Sequence, residues 1–420
     1  MKILHISTSA SRGGAAIAAR RLHAALNRRN SDSRMLVVEE SRKDADEKIR
    51  QTRAKADRSL SYRIKKNLEI HGPRLFYRKA KGPFSPGIFG ENAKSVIAEM
   101  NPDILHLHWF QFAGFRIAEL MQLPYPKIWT CHDQWPFTGG CHYSGDCEQF
   151  TATCGQCPIL ASKHPKDLSA HLHSLKLKLY QENNLTVISP SSWLASLARR
   201  SSLLSNCPVH HIPNGVDTEI FRPQDRKKAR KRLSIPEEQI CILFVSSGSK
   251  FDSRKGITFL HEALGQLSKK LKTTQNITLL TVGQKGLPIS KKLPYRVKEL
   301  GPINDEDSIA RAYSAANIFV APSLEDNLPN TVLEALSCGV PTLAFRIGGM
   351  ADMIHHKVNG YLADEVGSEP LEQGIRWLIK KPERLETLSR EARRSILSTF
   401  TLDLQVTAIN QIYEATVPQT

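Results

Sequence analysis

The chain has 420 residues, of which 40% are hydrophobic and 24% are charged. This length is too great for one ordinary core and predicts two domains of roughly 200 residues each. The formal net charge of +17 favours anionic ligands or surfaces. No run approaches the ~18 consecutive apolar residues of a membrane span, and "MKILHISTSASRGG" is too polar for a secretory leader. We therefore expect a cytoplasmic protein.

Short runs of β-branched residues alternate with helical patterns in two series. The first runs from "KILHIST" to "LTVISPS" and the second from "CILFVSS" to "VPTLAF". Each series predicts a doubly wound parallel sheet with helices on both faces. We expect an N-terminal domain over 1–205, a C-terminal domain over 206–385, and helices over 386–420 that could return to the N-terminal domain. Open parallel sheets bind ligands at the carboxyl ends of their strands, so two facing sheets predict a cleft between them.

A pair of glycines, Gly13 and Gly14, lies between the opening strand and a helical pattern rich in Ala, Leu and Arg. Paired glycines let the backbone approach a phosphate or a sugar, and a helix N-terminus favours negative charge. The spacing is not G-x-G-x-x-G, so a dinucleotide fingerprint is not supported. A plain tight turn explains the pair equally well.

A strongly basic segment follows the second predicted strand. Fourteen basic and five acidic residues lie between Arg42 and Lys81. Nucleic acid, an anionic membrane face or phosphorylated substrates would fit this excess, and so would a solvated helix without a partner. The basic residues are not interleaved with aromatic residues and no standard nucleic-acid module is recognisable, so we expect no nucleic-acid partner.

Histidines lie on or at the end of the next two predicted strands. "HLHW" places His106 and His108 at the spacing of a metal-ligand pair and on one face of a strand. We favour structural or acceptor-side roles for both. His132, in "WTCHD", stands at the end of an apolar strand, where a lone histidine is more often structural than catalytic.

Four of the eight cysteines lie within the stretch "CHYSGDCEQFTATCGQC". They are Cys141, Cys147, Cys154 and Cys157. Only the last pair has the short loop of a zinc knuckle. Because thiols stay reduced in the cytoplasm, we expect a structural zinc site with four thiolate ligands rather than disulfides. His142 is an alternative ligand. The alternative to a metal site is that the four cysteines are reduced and bind no ion.

Two motifs of the second series place charged residues beside predicted helix starts. Arg254 and Lys255 precede a helix whose dipole they would oppose, which a bound diphosphate would explain. A solvated basic turn would not explain the neighbouring glycines. Further on, Asp326 and Glu334 lie eight positions apart, where carboxylates can accept hydrogen bonds from vicinal hydroxyls.

Four motifs follow one another along the chain: "IPNGVDTEIFRP", "RKG", "PSLEDNLPNTVLEALSCGVPTLAF" and "GGMADMIHHKVNGYL". In their order and spacing they resemble the motifs of the retaining, nucleotide-sugar-dependent glycosyltransferases of family four, with the GT-B fold. "CHDQWPFTGGCHYSGDC" resembles a subgroup associated with bacterial exopolysaccharide assembly, including colanic-acid-type transferases. The resemblance implies a nucleoside-diphosphate sugar donor and a saccharide or lipid-linked oligosaccharide acceptor at the cytoplasmic membrane face. It also implies catalysis without a metal cofactor.

The resemblance implies roles for individual positions. Glu334 matches the acid that binds the ribose, and Asp326 matches the acid that contacts the transferred sugar. The family has Glu where Asp326 stands, and Glu325 could take over that contact. Lys255 matches the lysine that holds the diphosphate, and His132 matches the histidine beside the donor sugar.

The resemblance assigns the remaining substrate contacts to loops or to alternative residues. The companion arginine of the family falls at Ser249, so Lys250 or Arg254 could substitute for it. Gly13 and Gly14 match the glycine loop of the amino-terminal domain. Backbone N–H groups around Asn327 and Leu328 could hold an anion.

Two other classes of protein remain as alternatives. A GT-B-type phosphorylase or a nucleotide-sugar epimerase shares the two-sheet pattern, but Lys255 with Asp326 and Glu334 argues against both. A basic, zinc-containing nucleic-acid-binding protein would account for the cysteines and the charge. Only the transferase accounts for the motifs of the second series.

Overall fold

The computed structural model describes residues 1–39, 46–52, 60–246, 253–271, 276–283 and 293–417. The chain divides into two compact units, one formed by Met1–Pro213 with Gln405–Thr420 and the other by Asn214–Leu404. The segment 386–420, expected to form helices that could return to the N-terminal domain, is divided: residues 386–404 belong to the second unit and residues 405–420 to the first. Among the described residues, no helix is long and apolar enough to cross a membrane.

The first unit alternates strands with helices. Its described strands are β1 (Lys2–Ser9), β2 (Asp32–Glu39), β3 (Ile49–Gln51), β4 (Ile104–Leu107), β5 (Lys127–Thr130), β6 (Leu185–Ser189) and β7 (Val209–His211). Its described helices include α1 (Gly14–Arg28), α2 (Leu60–Phe76), α3 (Lys94–Met100), α4 (Ile117–Met121), α5 (Leu168–Gln181) and α6 (Ser192–Arg200). The strands pair in the order β3-β2-β1-β4-β5-β6-β7, and every pair is parallel.

The strands of this sheet are apolar because helices cover both faces. All four residues of β4 and of β5 are buried, and β1 exposes only its first residue. Strands buried on both sides read as continuous apolar runs, which is why the sequence identified them. The winding reverses between β1 and β4, where His5 stands opposite His106. In sheets of this order, ligands bind at the carboxyl ends beside that reversal.

The second unit repeats the same construction. Its described strands are β8 (Ile240–Ser246), β9 (Ile277–Gly283), β10 (Arg296–Glu299), β11 (Ile318–Ala321), β12 (Thr342–Phe345) and β13 (Gly360–Ala363). Its described helices are α7 (Arg226–Arg232), α8 (Ile257–Lys270), α9 (Glu306–Ala315), α10 (Asn330–Ser337), α11 (Met350–Met353), α12 (Ser368–Ile379), α13 (Pro382–Thr399) and the start of α14 (Leu402–Thr416). The parallel order is β10-β9-β8-β11-β12-β13.

Helix α13 belongs to the core of this second unit. Leu385, Leu388, Ala392 and Ile396, which carry its apolar periodicity, are all buried in that core. The apolar periodicity predicts this helix. It belongs to the second unit, whereas the residues from Gln405 onward group with the first unit, as the sequence suggested for the C-terminal helices. The prediction of two doubly wound parallel sheets is confirmed.

Candidate active site

An ion pair lies at the reversal of the second sheet. Nζ of Lys255 is 2.7 Å from Oδ2 of Asp326. Lys255 lies two residues before the start of α8, and Asp326 follows β11. The hydroxyl of Ser323 also donates to Oδ2 of Asp326, at 3.3 Å. The predicted phosphate-binding cation and the predicted sugar-binding acid are therefore direct partners, which their separation in sequence did not reveal.

Close backbone approach holds the two segments of this pair together. Gly256 has φ 64°, and a Cβ there would lie 1.8 Å from the carbonyl oxygen of Pro322. The N–H of Leu324 donates to the carbonyl of Arg254 at 2.7 Å. A larger residue at position 256 would force the segments apart, so this glycine fixes where Lys255 meets Asp326.

A third segment closes on the same acid from the end of β12. Gly348 has φ 50°, and a Cβ there would lie 1.9 Å from the carbonyl oxygen of Asp326. The N–H of Gly349 donates to that carbonyl at 3.3 Å. The "GGM" motif is thus part of the site, although the sequence gave these glycines no role of their own.

Glu334 is held in place by a residue that sequence reasoning missed. Its side chain is 6% exposed, and its Oε2 accepts from the hydroxyl of Tyr313 at 3.0 Å. Tyr313 lies on α9 and is itself buried against Phe221 and Phe319. A buried carboxylate held by a fixed hydrogen bond keeps a set orientation, which suits recognition of a diol.

The other predicted donor-side residues are placed as follows. Asn327 and Leu328 are buried next to Asp326, at 4% and 5% exposure. The side chains of Glu325 and Arg254 are half-buried near the same loops. Lys250 lies outside the described residues.

In the first unit, the glycine pair stands at an exposed helix start. Gly13 is the N-cap of α1 with φ 91°, and Gly14 is the first residue of the helix. A Cβ at Gly13 would meet nothing within 4 Å. The positive φ, not crowding, therefore requires glycine here, and the open space leaves room for a ligand to approach the helix N-terminus.

His132 follows β5 and is partly buried. Its Nε2 lies 3.1 Å from Nδ1 of His108. Burial lowers the pKa of His132 to about 4, and the opposing effect of the Asp133 carboxylate does not offset it. The imidazole is therefore neutral at pH 7, able to exchange hydrogen bonds but carrying no charge.

Beside it, three buried side chains form a chain of hydrogen bonds. Oδ2 of Asp133 is 2.7 Å from Nδ1 of His142, and Nε2 of His142 is 2.8 Å from the hydroxyl of Ser85. Trp109 donates to the same carboxylate oxygen at 2.9 Å. Ser85 is fully buried, so no substrate can reach it as a nucleophile. The chain instead fixes the segment after His132.

Burial alone would raise the pKa of Asp133. The charge and hydrogen bond of His142, with hydrogen bonds from Trp135 and Trp109, outweigh that effect and hold the pKa below its usual value. Since both nitrogens of His142 are engaged, the structure corrects its assignment as an alternative zinc ligand.

The four clustered cysteines lie near one another without converging. Among the described residues, no three of their sulfurs lie within 4.8 Å of one another. The N–H of Gly139 donates to Sγ of Cys154 at 3.2 Å, while Cys141 and Cys157 lie in an apolar cluster. Burial raises the pKa of Cys154 to about 11 and raises that of Cys141 as well. The thiols as placed do not fit a four-coordinate ion, so the zinc site stays a prediction from spacing.

Two parallel sheets, each with polar groups at its reversal, define a chain of the GT-B class. Residues 12–220 match the family model "Glycosyltransferase Family 4", and residues 225–395 match "Glycosyl transferases group 1". The chain belongs to the family-four glycosyltransferases, as its motifs predicted.

Named relatives agree with this assignment. The chain is 26% identical over 288 residues to WcaC of Escherichia coli K12, named for glycosyl transfer in colanic acid biosynthesis, covering 64% of this chain and 65% of the relative. It is 29% identical over 190 residues to the D-inositol 3-phosphate glycosyltransferase of Segniliparus rotundus, covering 43% and 41%. The match thus spans less than half the length of that relative.

Two solved structures share the fold over almost the whole chain. Sucrose-phosphate synthase from Thermosynechococcus elongatus has a TM-score of 0.72 at 20% identity, covering 99% of both chains. HepE from Anabaena, in complex with UDP-glucose, has a TM-score of 0.67 at 16% identity, covering 99% of this chain and 100% of its own. At these identities the likeness shows the fold alone.

The buried histidines predict a loss of stability in acid. Burial lowers the folded pKa of His106 to about 3 and that of His132 to about 4, while unfolded histidine titrates near 6.5. The unfolded chain therefore binds more protons below pH 6.5, and stability should fall as pH drops from about 6.5 towards 4. Each such histidine contributes a slope of about 1.4 kcal/mol per pH unit.

Urea unfolding of the first unit, followed by fluorescence of its buried Trp129 and Trp135, measures this slope. His106→Asn should reduce the slope by one histidine's share, with the same exchange at exposed His71 as the matched control. A slope unchanged by His106→Asn would contradict the assignment.

The zinc site has a direct test. If four thiolates bind zinc, protein purified without chelator contains about one zinc per chain. The double variant Cys154→Ser/Cys157→Ser should lose the metal, and Cys207→Ser, outside the stretch, should retain it. Zinc-free wild-type protein would leave the thiols as packing residues only.

Proposed function

We propose that the protein is a retaining glycosyltransferase in cell-surface polysaccharide biosynthesis. It moves a hexose from a nucleoside-diphosphate sugar to a lipid-linked saccharide acceptor. The observation that carries this proposal is the convergence of Lys255 and Asp326 at the reversal of the second sheet, with Glu334 fixed by Tyr313. The name of WcaC, a glycosyl transferase of colanic acid biosynthesis, supports a role in polysaccharide assembly.

The second unit supplies the groups that hold the donor. Glu334 accepts hydrogen bonds from the ribose hydroxyls with the carboxylate that Tyr313 orients. Lys255 contacts the diphosphate, so contacts to the phosphate oxygens partly replace its ion pair with Asp326. Asp326, freed in part from Lys255, can then accept from a hydroxyl of the sugar. The donor thus replaces an existing ion pair instead of entering an empty site.

Charge stabilisation is the main catalytic effect in this proposal. The bond from the sugar to the diphosphate breaks, the sugar passes through an oxocarbenium-like state, and the acceptor hydroxyl attacks on the same face. The leaving phosphate takes the acceptor's proton. Lys255 and the start of α8 stabilise the charge that develops on the diphosphate, so catalysis requires no metal cofactor.

His132 serves the sugar as a neutral group. A protonated imidazole beside an oxocarbenium-like sugar would raise the energy of the transition state by repulsion. The low pKa of His132 avoids this at physiological pH while preserving its hydrogen bonding.

Lys255→Ala tests the donor site. The variant should bind UDP, GDP and their hexose conjugates at least about tenfold more weakly by calorimetry, because a charge-assisted contact is lost. Lys270→Ala is the matched control, since the Lys270 ammonium is also paired with an acid, Glu372, at 2.7 Å.

Removing Lys255 also leaves the charge of Asp326 unpaired, which would repel a diphosphate by itself. The double variant Lys255→Ala/Asp326→Asn separates the two effects. If it recovers wild-type binding of UDP or GDP, Lys255 does not contact the diphosphate. A wild-type protein that binds none of these nucleotides contradicts the proposed function.

The acceptor class also gives α2 a role. One side of this helix is anchored, because Glu69 accepts from the N–H groups of Gly87 and Phe89 at 2.6 and 3.1 Å. The other side exposes a set of large apolar side chains at 40% to 84%: Leu60, Ile64, Leu68, Leu75 and Phe76. Exposed cations flank them, namely Arg63, Lys65, Arg74, Arg78, Lys79 and Lys81. An apolar stripe bordered by cations suits the surface of an anionic membrane.

Liposome flotation tests this docking. Wild-type protein should bind vesicles containing anionic phosphatidylglycerol, and Ile64→Glu/Phe76→Glu should lose most of that binding. The control is Leu397→Glu/Leu404→Glu, which changes two leucines of the second unit that are 47% and 45% exposed. Equal binding by the Ile64/Phe76 variant and the wild type would remove α2 from this role.

A further inference from the structure

Three imidazoles of the first unit form a hydrogen-bonded row that ends at His132. His5 lies on β1, His108 follows β4 and His132 follows β5, so three neighbouring strands bring them side by side. Nδ1 of His5 lies 2.9 Å from Nε2 of His108. Nδ1 of His108 lies 3.1 Å from Nε2 of His132.

The rings of this row meet edge to edge. Their centroids are 5.2 Å apart for His5 and His108, and 5.4 Å apart for His108 and His132. Each separation exceeds the corresponding N···N distance by about the width of one imidazole ring. The ring planes are inclined by only 26° and 32°. The nitrogen lone pairs and N–H groups therefore point at one another along the row.

The same region has the spacing of a metal site, but its nitrogens are already used. One nitrogen each of His5, His106 and His108 lies within 4.8 Å of the others. His106, however, bonds through Nδ1 to the hydroxyl of Tyr413 at 2.6 Å and through Nε2 to that of Thr130 at 2.8 Å.

Both nitrogens of His108 bond to imidazoles, so among these three histidines only Nε2 of His5 lacks a partner. A metal takes a lone pair from each ligand. Hydrogen bonding therefore accounts for the cluster better than an ion does. His106 stacks on His108, with ring centroids 4.3 Å apart, and so packs against the side of the row.

A neutral imidazole carries one N–H and one lone pair, so the hydrogen bonds of the row all run in one direction. Burial lowers the pKa of His5 and His108 well below the usual range, which keeps both rings neutral. The buried end at His5 decides the direction. If the row ran from His132 to His5, Nε2 of His5 would be a buried N–H without an acceptor. In the opposite direction that atom is a bare lone pair, the less costly of the two arrangements.

We propose that His5 and His108 are positioning residues that hold His132 in the tautomer with its proton on Nδ1. His5 donates to His108, and His108 donates from its Nδ1 to Nε2 of His132. Because the row ends in the core at His5, it offers no exit for a proton and sets a tautomer instead of conducting charge. The consequence for the reaction rests on the proposed function, in which His132 faces the donor sugar with its tautomer fixed.

Nitrogen-15 NMR of histidine-labelled full-length protein measures the tautomer. In the wild type, His132 should carry its proton on Nδ1, with its signals assigned by their loss in His132→Gln. His108→Leu removes the donor, and His132 should then populate the tautomer protonated on Nε2. His108→Asn places an amide nitrogen where Nδ1 stood and should restore the wild-type tautomer. His173→Asn is the matched control, because His173 is buried in the same unit but bonds to Ser202 outside the row.

Transfer kinetics give the second readout. His108→Leu should lower kcat about tenfold or more with little change in the donor KM, since an imidazole in the wrong tautomer is a severe handicap. His108→Asn should regain most of this loss, and His173→Asn should keep the wild-type kcat.

Four results would overturn the proposal. The first is a wild-type His132 protonated on Nε2, and the second is a tautomer that does not change in His108→Leu. The third is a changed tautomer with an unchanged kcat. The fourth is a stoichiometric metal in wild-type protein that His5→Phe removes. A wild type that transfers no sugar contradicts the proposed function instead, and the NMR measurement still decides the role of the row.

Discussion

The ion pair of Lys255 with Asp326 is the interaction on which the candidate donor site depends. It joins two segments that meet at the reversal of the second sheet. Gly256 allows their backbones to approach closely enough to form it, and Gly348 lets a third segment approach Asp326. The pair is only partly buried, so its net contribution to folding is small. The pair matters for position, because Lys255 lies at the candidate site with its charge already neutralised by Asp326. A ligand must therefore outcompete Asp326, which favours an anion as strong as a diphosphate.

Part of the candidate site in the second unit could be predicted from the sequence, because several of its residues are neighbours in the chain, although Lys255 lies 71 residues from Asp326. Asp326, Asn327 and Leu328 lie in one loop, and Glu334 follows within two helical turns, so spacing alone places them together. Tyr313 could not be predicted in this way. It reaches Glu334 from another helix, and only the arrangement of α9 and α10 around β11 shows that its hydroxyl has a carboxylate to meet.

In the first unit, local pattern was a weaker guide. Alternation along β4 correctly placed His106 on the sheet, but both of its nitrogens are used by Tyr413 and Thr130, which lie far away in sequence. The partner of His108 on β1 could be found only from the strand order. The cysteine spacing suggested metal chemistry, whereas the contacts that brace the segment after His132 come from Asp133 and the residues bonded to it.

The two units treat charge in opposite ways, and both ways suit the proposed chemistry. At the second sheet, a cation is held ready by an acid that can release it to a diphosphate. At the first sheet, imidazoles are kept neutral by burial and by one another. In the proposed chemistry, a protonated imidazole beside the sugar would oppose the positive charge that develops there. A neutral histidine with a fixed tautomer can orient a hydrogen bond to the sugar without adding positive charge there. In the proposed chemistry, the transition state is then stabilised by contacts to the phosphate and is not destabilised by repulsion at the sugar.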